Sequence, residues 1–248
     1  MRSLRAAFAV LTRVPVGGFP YSDRDWARAP GYFPLVGALV GGAAGLLALG
    51  LSPLGPLAAA VAGVVGSLGL TGAMHEDGLA DTADALGGAG DRQRVFEILK
   101  DSRIGTYGAA ALILSLLGRV VLLGRLGSGS VWPWVLSACA ARAAPVLLLV
   151  TLPYVTPPVA AKNLAVSGAR WPQALLALAF VGVCLALAWR EGAASPARLG
   201  AVLLAVGLVA LSTGYWYRRR LGGVTGDFLG ATEQLGELAI LAVLAWAP

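Results

Sequence analysis

Long apolar runs broken by short polar segments set the layout of this chain. A membrane-crossing helix needs about 20 mostly apolar residues. Seven stretches approach that length: 32–51, 54–74, 107–124, 132–154, 172–189, 199–217 and 234–246, the last being the shortest. Several are rich in Gly and Ala, as in "GALVGGAAGLLALG". Small residues let helices approach closely in lipid, so these glycines read as packing positions and not as phosphate loops. Residues 1–31 are basic and partly amphipathic, which suits a segment lying at the interface. They do not read as a cleaved leader, because Arg13, Pro15 and a polar run to Arg28 precede any long apolar stretch. The pattern predicts an all-α, polytopic integral membrane helical bundle of about seven transmembrane helices, forming one domain over residues 1–248.

Composition supports that class. The chain is 57% hydrophobic and 13% charged, with a mean hydropathy of +0.75. Soluble domains carry about a quarter charged residues, so a water-facing globule, a disordered chain and a nucleic-acid binder are all excluded. Cys139 and Cys184 fall in apolar runs without metal-ligand or redox spacing and read as packing residues. The net charge of +6 is best explained by orientation. With the N-terminus inside, segments 1–31, 75–106, 155–171 and 218–233 hold 14 of the 19 Lys and Arg residues, as the positive-inside rule requires. The acids gather in the same segments, with Glu191 alone clearly outside. Polar chemistry is therefore expected on the cytoplasmic side of a cell (inner) membrane.

The sharpest chemical signal is the acidic segment 75–106. Asp77, Asp81 and Asp84 are spaced i, i+4, i+7, which is one face of a helix. Stacked carboxylates repel by a few tenths of a kcal/mol per pair unless a cation intervenes. Oxygen-only ligands suit Mg²⁺ or Mn²⁺, and Mg²⁺ commonly bridges carboxylates to phosphates. A run of acids is usually just a solvated face, but here it abuts a span, where each charge is costly and function becomes the default. His75 is the sole histidine and carries little weight. Downstream, Lys100, Asp101, Ser102 and Arg103 precede "IGTYG", where a helix start with free backbone N–H groups could receive an anion. The C-terminal segment 218–237 repeats the theme with Thr225, Asp227, Glu233 and Glu237 among glycines. Arg142 lies mid-span and must face the bundle interior, to neutralise a carboxylate or hold a phosphate.

Taken together, "LTRVPV", "YFPLVG", "HEDGLADTADALGG", "LKDSRIGTYG" and "GGVTGDFLGATEQLGEL" resemble the cobalamin synthase (adenosylcobinamide-GDP ribazoletransferase) family, nearly end to end. The resemblance implies a Mg²⁺-dependent transferase of late cobalamin biosynthesis. It would join adenosylcobinamide-GDP to α-ribazole or its 5′-phosphate and release GMP. In that reading Asp77, Asp81 and Asp84 hold Mg²⁺ and Lys100, Asp101, Ser102, Arg103, Arg142 and Thr225 contact substrate. Glu76 or Asp227 then takes the hydroxyl proton. The partners are the two small molecules and membrane lipid, with no nucleic acid; a homo-oligomer stays open. Two rival classes fit the sequence less well. CDP-alcohol phosphotransferases share the chemistry, but their Asp-Gly-x-x-Ala-Arg pattern is absent, since Asp81-Thr82 follows Asp77-Gly78-Leu79-Ala80. An ion-coupled transporter would place its acids at mid-membrane, in duplicated halves.

Overall fold

The structure, a computed structural model, describes residues 1–155 and 164–246. Of the segment 155–171 expected on the cytoplasmic side, residues 156–163 lie outside the described residues. An amphipathic helix α1 (Arg2–Leu11) leads to a short α2 (Asp23–Arg28), whose N-terminus is closed by a reciprocal capping box between Ser22 and Asp25. A single 3₁₀ turn then enters α3 (Phe33–Gly50). α4 (Pro56–Thr71) and α5 (Met74–Gly88) follow, then the short α6 (Arg92–Ile98) and the long α7 (Thr106–Leu126). α8 (Trp132–Ala141) and α9 (Ala143–Thr151) read as one span that loosens at Arg142. α10 (Trp171–Arg190), α11 (Pro196–Leu221) and α12 (Gly226–Ala245) complete the bundle.

Among the described residues six helices are long and apolar enough to cross a membrane, and a seventh span is counted if α4 and α5 form one broken crossing. The seven-span expectation is met on that count. The break is the main departure from the expected span 54–74. Gly72 and Ala73 both take left-handed backbone angles, and α5 leaves α4 at 89°. Such a conformation is routine for Gly but costs Ala about 1 kcal/mol, so tertiary contacts must hold the turn. One is visible: the backbone N–H of Arg13 donates to the carbonyl of Leu70 at 2.7 Å, tying the N-terminal strap to the bend.

Helices pack where side chains are smallest. A Cβ on Gly37 would strike the carbonyl of Ala138, and one on Gly41 the carbonyl of Trp134, so α3 lies backbone-to-backbone on α8. Cys139 and Cys184 are buried free thiols in the same core, as expected of packing residues. Outward-facing Leu46, Leu114, Leu175 and Leu211 stay exposed, the arrangement of a surface solvated by acyl chains. The final span is also corrected. It begins at Gly226 and not near residue 234, because Glu233, Gln234 and Glu237 are buried inside the bundle instead of standing in a loop.

A candidate active site at one end of the bundle

The acidic face is built by two helices that approach through a missing side chain. A Cβ on Gly78 of α5 would lie 2.8 Å from the carbonyl oxygen of Asp227. Its absence lets the first turn of α12 settle against α5, and Gly230 meets the same surface at His75 and Gly78. Asp227 thus joins Asp77 and Asp81: half-buried Asp81 stands in the field of Asp77, Asp227 and Asp84. Among the described residues none of Asp77, Asp81 and Asp227 has an ion-pair partner; the buried ion pairs are made by other residues. Asp77 and Asp81 line a cleft of about 280 Å³ together with Glu76, Ser102, Leu112 and Leu116.

Asp84, the third member of the i, i+4, i+7 face, has a different engagement. Its carboxylate accepts the backbone N–H of Gly105 at 2.6 Å and that of Gly108 at 2.8 Å. It therefore supplies the anion at the start of α7, where the first-turn N–H groups lack intrahelical partners. The glycines of "IGTYG" serve that contact, because a Cβ at Gly105 would sit 2.5 Å from an Asp84 oxygen and one at Gly108 would overlap the carboxylate. The helix start that suggested a substrate anion is filled by the chain's own side chain. Among the described residues no three His, Cys, Asp or Glu side chains converge closely enough to hold a metal ion. The three-carboxylate ligand set is therefore not assembled as expected. Magnesium, however, is usually held by one or two carboxylates with substrate phosphates completing its shell. Asp77 and Asp81, oxygen donors without a counter-cation, fit that smaller requirement.

The other expected residues divide between the interior and the surface. Glu76 turns inward, and its Oε1 lies 2.7 Å from Nη1 of Arg119. Arg119 also reaches Glu237 at 3.3 Å and donates to Ser67 at 3.1 Å. Arg142 does face the interior, with Nη1 2.8 Å from Glu233 Oε1 and a hydrogen bond to the Ala138 carbonyl. His75 Nδ1 lies 3.7 Å from Glu233. The role expected for Glu76 as base thus competes with a buried ion pair. Thr225 is buried and caps α12, its hydroxyl accepting the N–H of Phe228 at 3.2 Å. On the surface, Nη2 of exposed Arg103 lies 2.6 Å from Asp101 Oδ2, and these hydrogen bonds hold the Asp101 carboxyl down at about 2. Ser102 joins the carboxylate cleft, while Lys100 opens onto a separate groove of about 540 Å³ beside Arg92 and Phe96. The residues that sequence reasoning left without a role are Arg119, Glu233, Gln234 and Glu237. Their signal was a mid-span arginine facing three polar positions at i, i+1 and i+4 on another span.

A profile of the family described as cobalamin-5-phosphate synthase matches residues 3–245. An adenosylcobinamide-GDP ribazoletransferase of Polaromonas sp. is 40% identical over 276 residues, covering 99% of this chain and 96% of that protein. Those of Bradyrhizobium diazoefficiens and Vibrio cholerae are 41% and 38% identical, covering 98% and 96% of this chain and 92% and 91% of theirs. No solved structure matches.

Proposed function

The chain belongs to the cobalamin-5-phosphate synthase family and is a transferase of that family, and we propose that it joins adenosylcobinamide-GDP to α-ribazole or its 5′-phosphate, releasing GMP. A ribose hydroxyl oxygen forms a bond to the phosphorus attached to cobinamide. The bridging P–O bond breaks, and GMP leaves with those electrons. Asp77 and Asp81 would hold Mg²⁺, which when bound polarises the pyrophosphate oxygens and offsets their charge. Asp227, on the helix opposite, takes the proton of the attacking hydroxyl. Exposed Arg103, next to the cleft-lining Ser102, neutralises phosphate charge, and Lys100 adds a positive charge from the separate groove beside Arg92. Phosphoryl transfer depends mainly on such positioning and charge stabilisation.

The observation that carries this reading is the unpaired set Asp77, Asp81 and Asp227, formed where the 75–84 block meets the start of α12. Neither a CDP-alcohol phosphotransferase nor a transporter is favoured by the family match. The basic residues Arg2, Arg5, Arg92, Arg94 and Arg218–Arg220 argue for a cytoplasmic active site in the inner membrane. The test is reconstitution in detergent with both substrates and Mg²⁺, following GMP. Release should require all three and fall at least about hundredfold in Asp81→Asn, since a metal contributes several kcal/mol to such a transition state. Release that survives chelation would refute the metal assignment, and release without ribazole would make the chain a hydrolase.

A further inference from the structure

The carboxylate cleft has two unlike sides. Asp77 and Asp81 make one side polar, and Leu68, Ile104, Leu112 and Leu116 make the other aliphatic. Leu68 lies one turn before the bend that ends α4, and Ile104 stands 56% exposed in the loop just ahead of α7. Leu112 and Leu116 sit about 9 and 15 Å along α7 from its start at Thr106. Val65, Ile113 and Leu117, close to them on the same two helices, are exposed where acyl chains solvate the bundle. The aliphatic side thus runs from the loop at Ile104 to the border of the lipid-facing surface. A phosphate or a sugar hydroxyl set against these four side chains would lose its water and gain no hydrogen bond. The cleft therefore suits a ligand that turns a phosphate, through a cation, to Asp77 and Asp81 and an alkyl surface to the leucines.

From these two sides we infer that Leu68, Ile104, Leu112 and Leu116 form a corrinoid subsite, which holds the arm and the near edge of the macrocycle of adenosylcobinamide-GDP. The inference rests on the transferase reading above and specifies what seats its larger substrate. Three groups meet at the reacting phosphorus. The departing GMP adjoins it through a phosphate and a ribose, and the attacking ribazole through a ribose hydroxyl. The third group is the short alkyl arm to a methyl-rimmed macrocycle, which brings aliphatic surface within a few bonds of the phosphorus. Size agrees with this division. Sites that enclose a whole ligand measure about 300–1,000 Å³. At about 280 Å³, the cleft takes the phosphoryl group and its arm, while most of the ring stays at the mouth. Because Leu112 and Leu116 border the lipid-facing surface, the ring then rests at the membrane boundary.

Two variants make the aliphatic side polar, Ile104→Asn in the exposed loop and Leu112→Asn in α7. Ile113→Asn, one residue along but facing lipid, is the matched control. For each folded protein GMP release is measured with adenosylcobinamide-GDP varied at saturating α-ribazole, and then the reverse. Equilibrium dialysis of adenosylcobinamide, which lacks the pyrophosphate and the nucleotide, gives a second readout without Mg²⁺. KM for adenosylcobinamide-GDP and the dissociation constant of adenosylcobinamide should each rise about tenfold or more on losing one aliphatic contact, while KM for α-ribazole holds and the control stays at the parent values. No change in either variant, an equal rise in both KM values, or a rise confined to α-ribazole overturns the inference. So does failure of the unmodified chain to bind adenosylcobinamide, or a co-purified phospholipid in the cleft that adenosylcobinamide does not displace. If one variant fails to elute as a folded protein, the other decides. If the unmodified chain binds adenosylcobinamide, both variants lose it and no GMP is released with both substrates present, the transferase reading falls and the subsite stands.

Discussion

Replacing Asp84 separates a structural role from a metal-binding one. In Asp84→Ala the start of α7 loses two acceptors at once, the bonds from Gly105 and Gly108 at 2.6 and 2.8 Å. A hydrogen bond to a charged acceptor contributes about 1.5–3 kcal/mol, and an anion at a helix N-terminus adds up to about 1 kcal/mol at a partly exposed position. Water can re-solvate part of this half-buried site, so the expected loss is about 2–4 kcal/mol. For a chain of this size that corresponds to a fall in melting temperature of roughly 4–16 °C. Asp84→Asn keeps one good acceptor and should recover about half. The assay is thermal unfolding in detergent, run beside a Mg²⁺ titration of GMP release. Asp84→Asn should melt early while keeping the Mg²⁺ concentration for half-maximal rate, whereas Asp81→Asn should melt normally and lose the response to metal. An Asp84→Asn protein that melts like the parent but needs far more Mg²⁺ would refute the capping argument and return Asp84 to the ligand set.

Three other outcomes follow from the same geometry. Arg119→Met leaves Glu76 and Glu237 buried without their shared cation and should cost about 3–5 kcal/mol; adding Glu76→Gln should restore part of it, as read by thermal unfolding of the single and double variants. Gly78→Val places a side chain where the Asp227 backbone lies 2.8 Å away, so α5 and α12 must part and the GMP rate should drop at least about tenfold for a shift near 1 Å, with an unaltered rate refuting the close approach. The Asp101 carboxyl, held near 2 against an ordinary 3.8 by Arg103, stays ionised above about pH 4, and its pairing is lost only as pH falls through about 2. The ratio of parent to Asp101→Asn activity should therefore be flat from pH 5 to 8, and a slope across that window would show that the pair titrates.

Much of the architecture could be read from hydropathy alone, because a helix facing lipid must be apolar along most of its length. That reasoning failed where polar residues were buried with partners from elsewhere. Glu233 and Glu237 looked like the edge of a loop, yet Arg142 and Arg119 meet them from other spans and draw the start of α12 back to Gly226. The Asp77 and Asp81 face followed from spacing. The engagement of Asp84 did not, since its partners are backbone N–H groups more than twenty residues downstream. Nor did spacing separate Glu76 from Asp77. Neighbours on a helix point about 100° apart, so the first enters the ion-paired core and the second remains exposed.

α12 carries Asp227 at its outer end and Glu233 and Glu237 about two and three turns deeper. Shifting the outer carboxylate along the helix axis would drag both glutamates past arginines on other spans. The site is thus anchored by charge pairs that mobile ions cannot reach, while Lys100 and Arg103 stand in water where ions screen them within about 8 Å at physiological strength. Added salt should accordingly weaken the capture of a phosphate-bearing substrate without loosening the frame that aligns it. Reach and alignment are divided between two media, and ionic strength tunes the first alone.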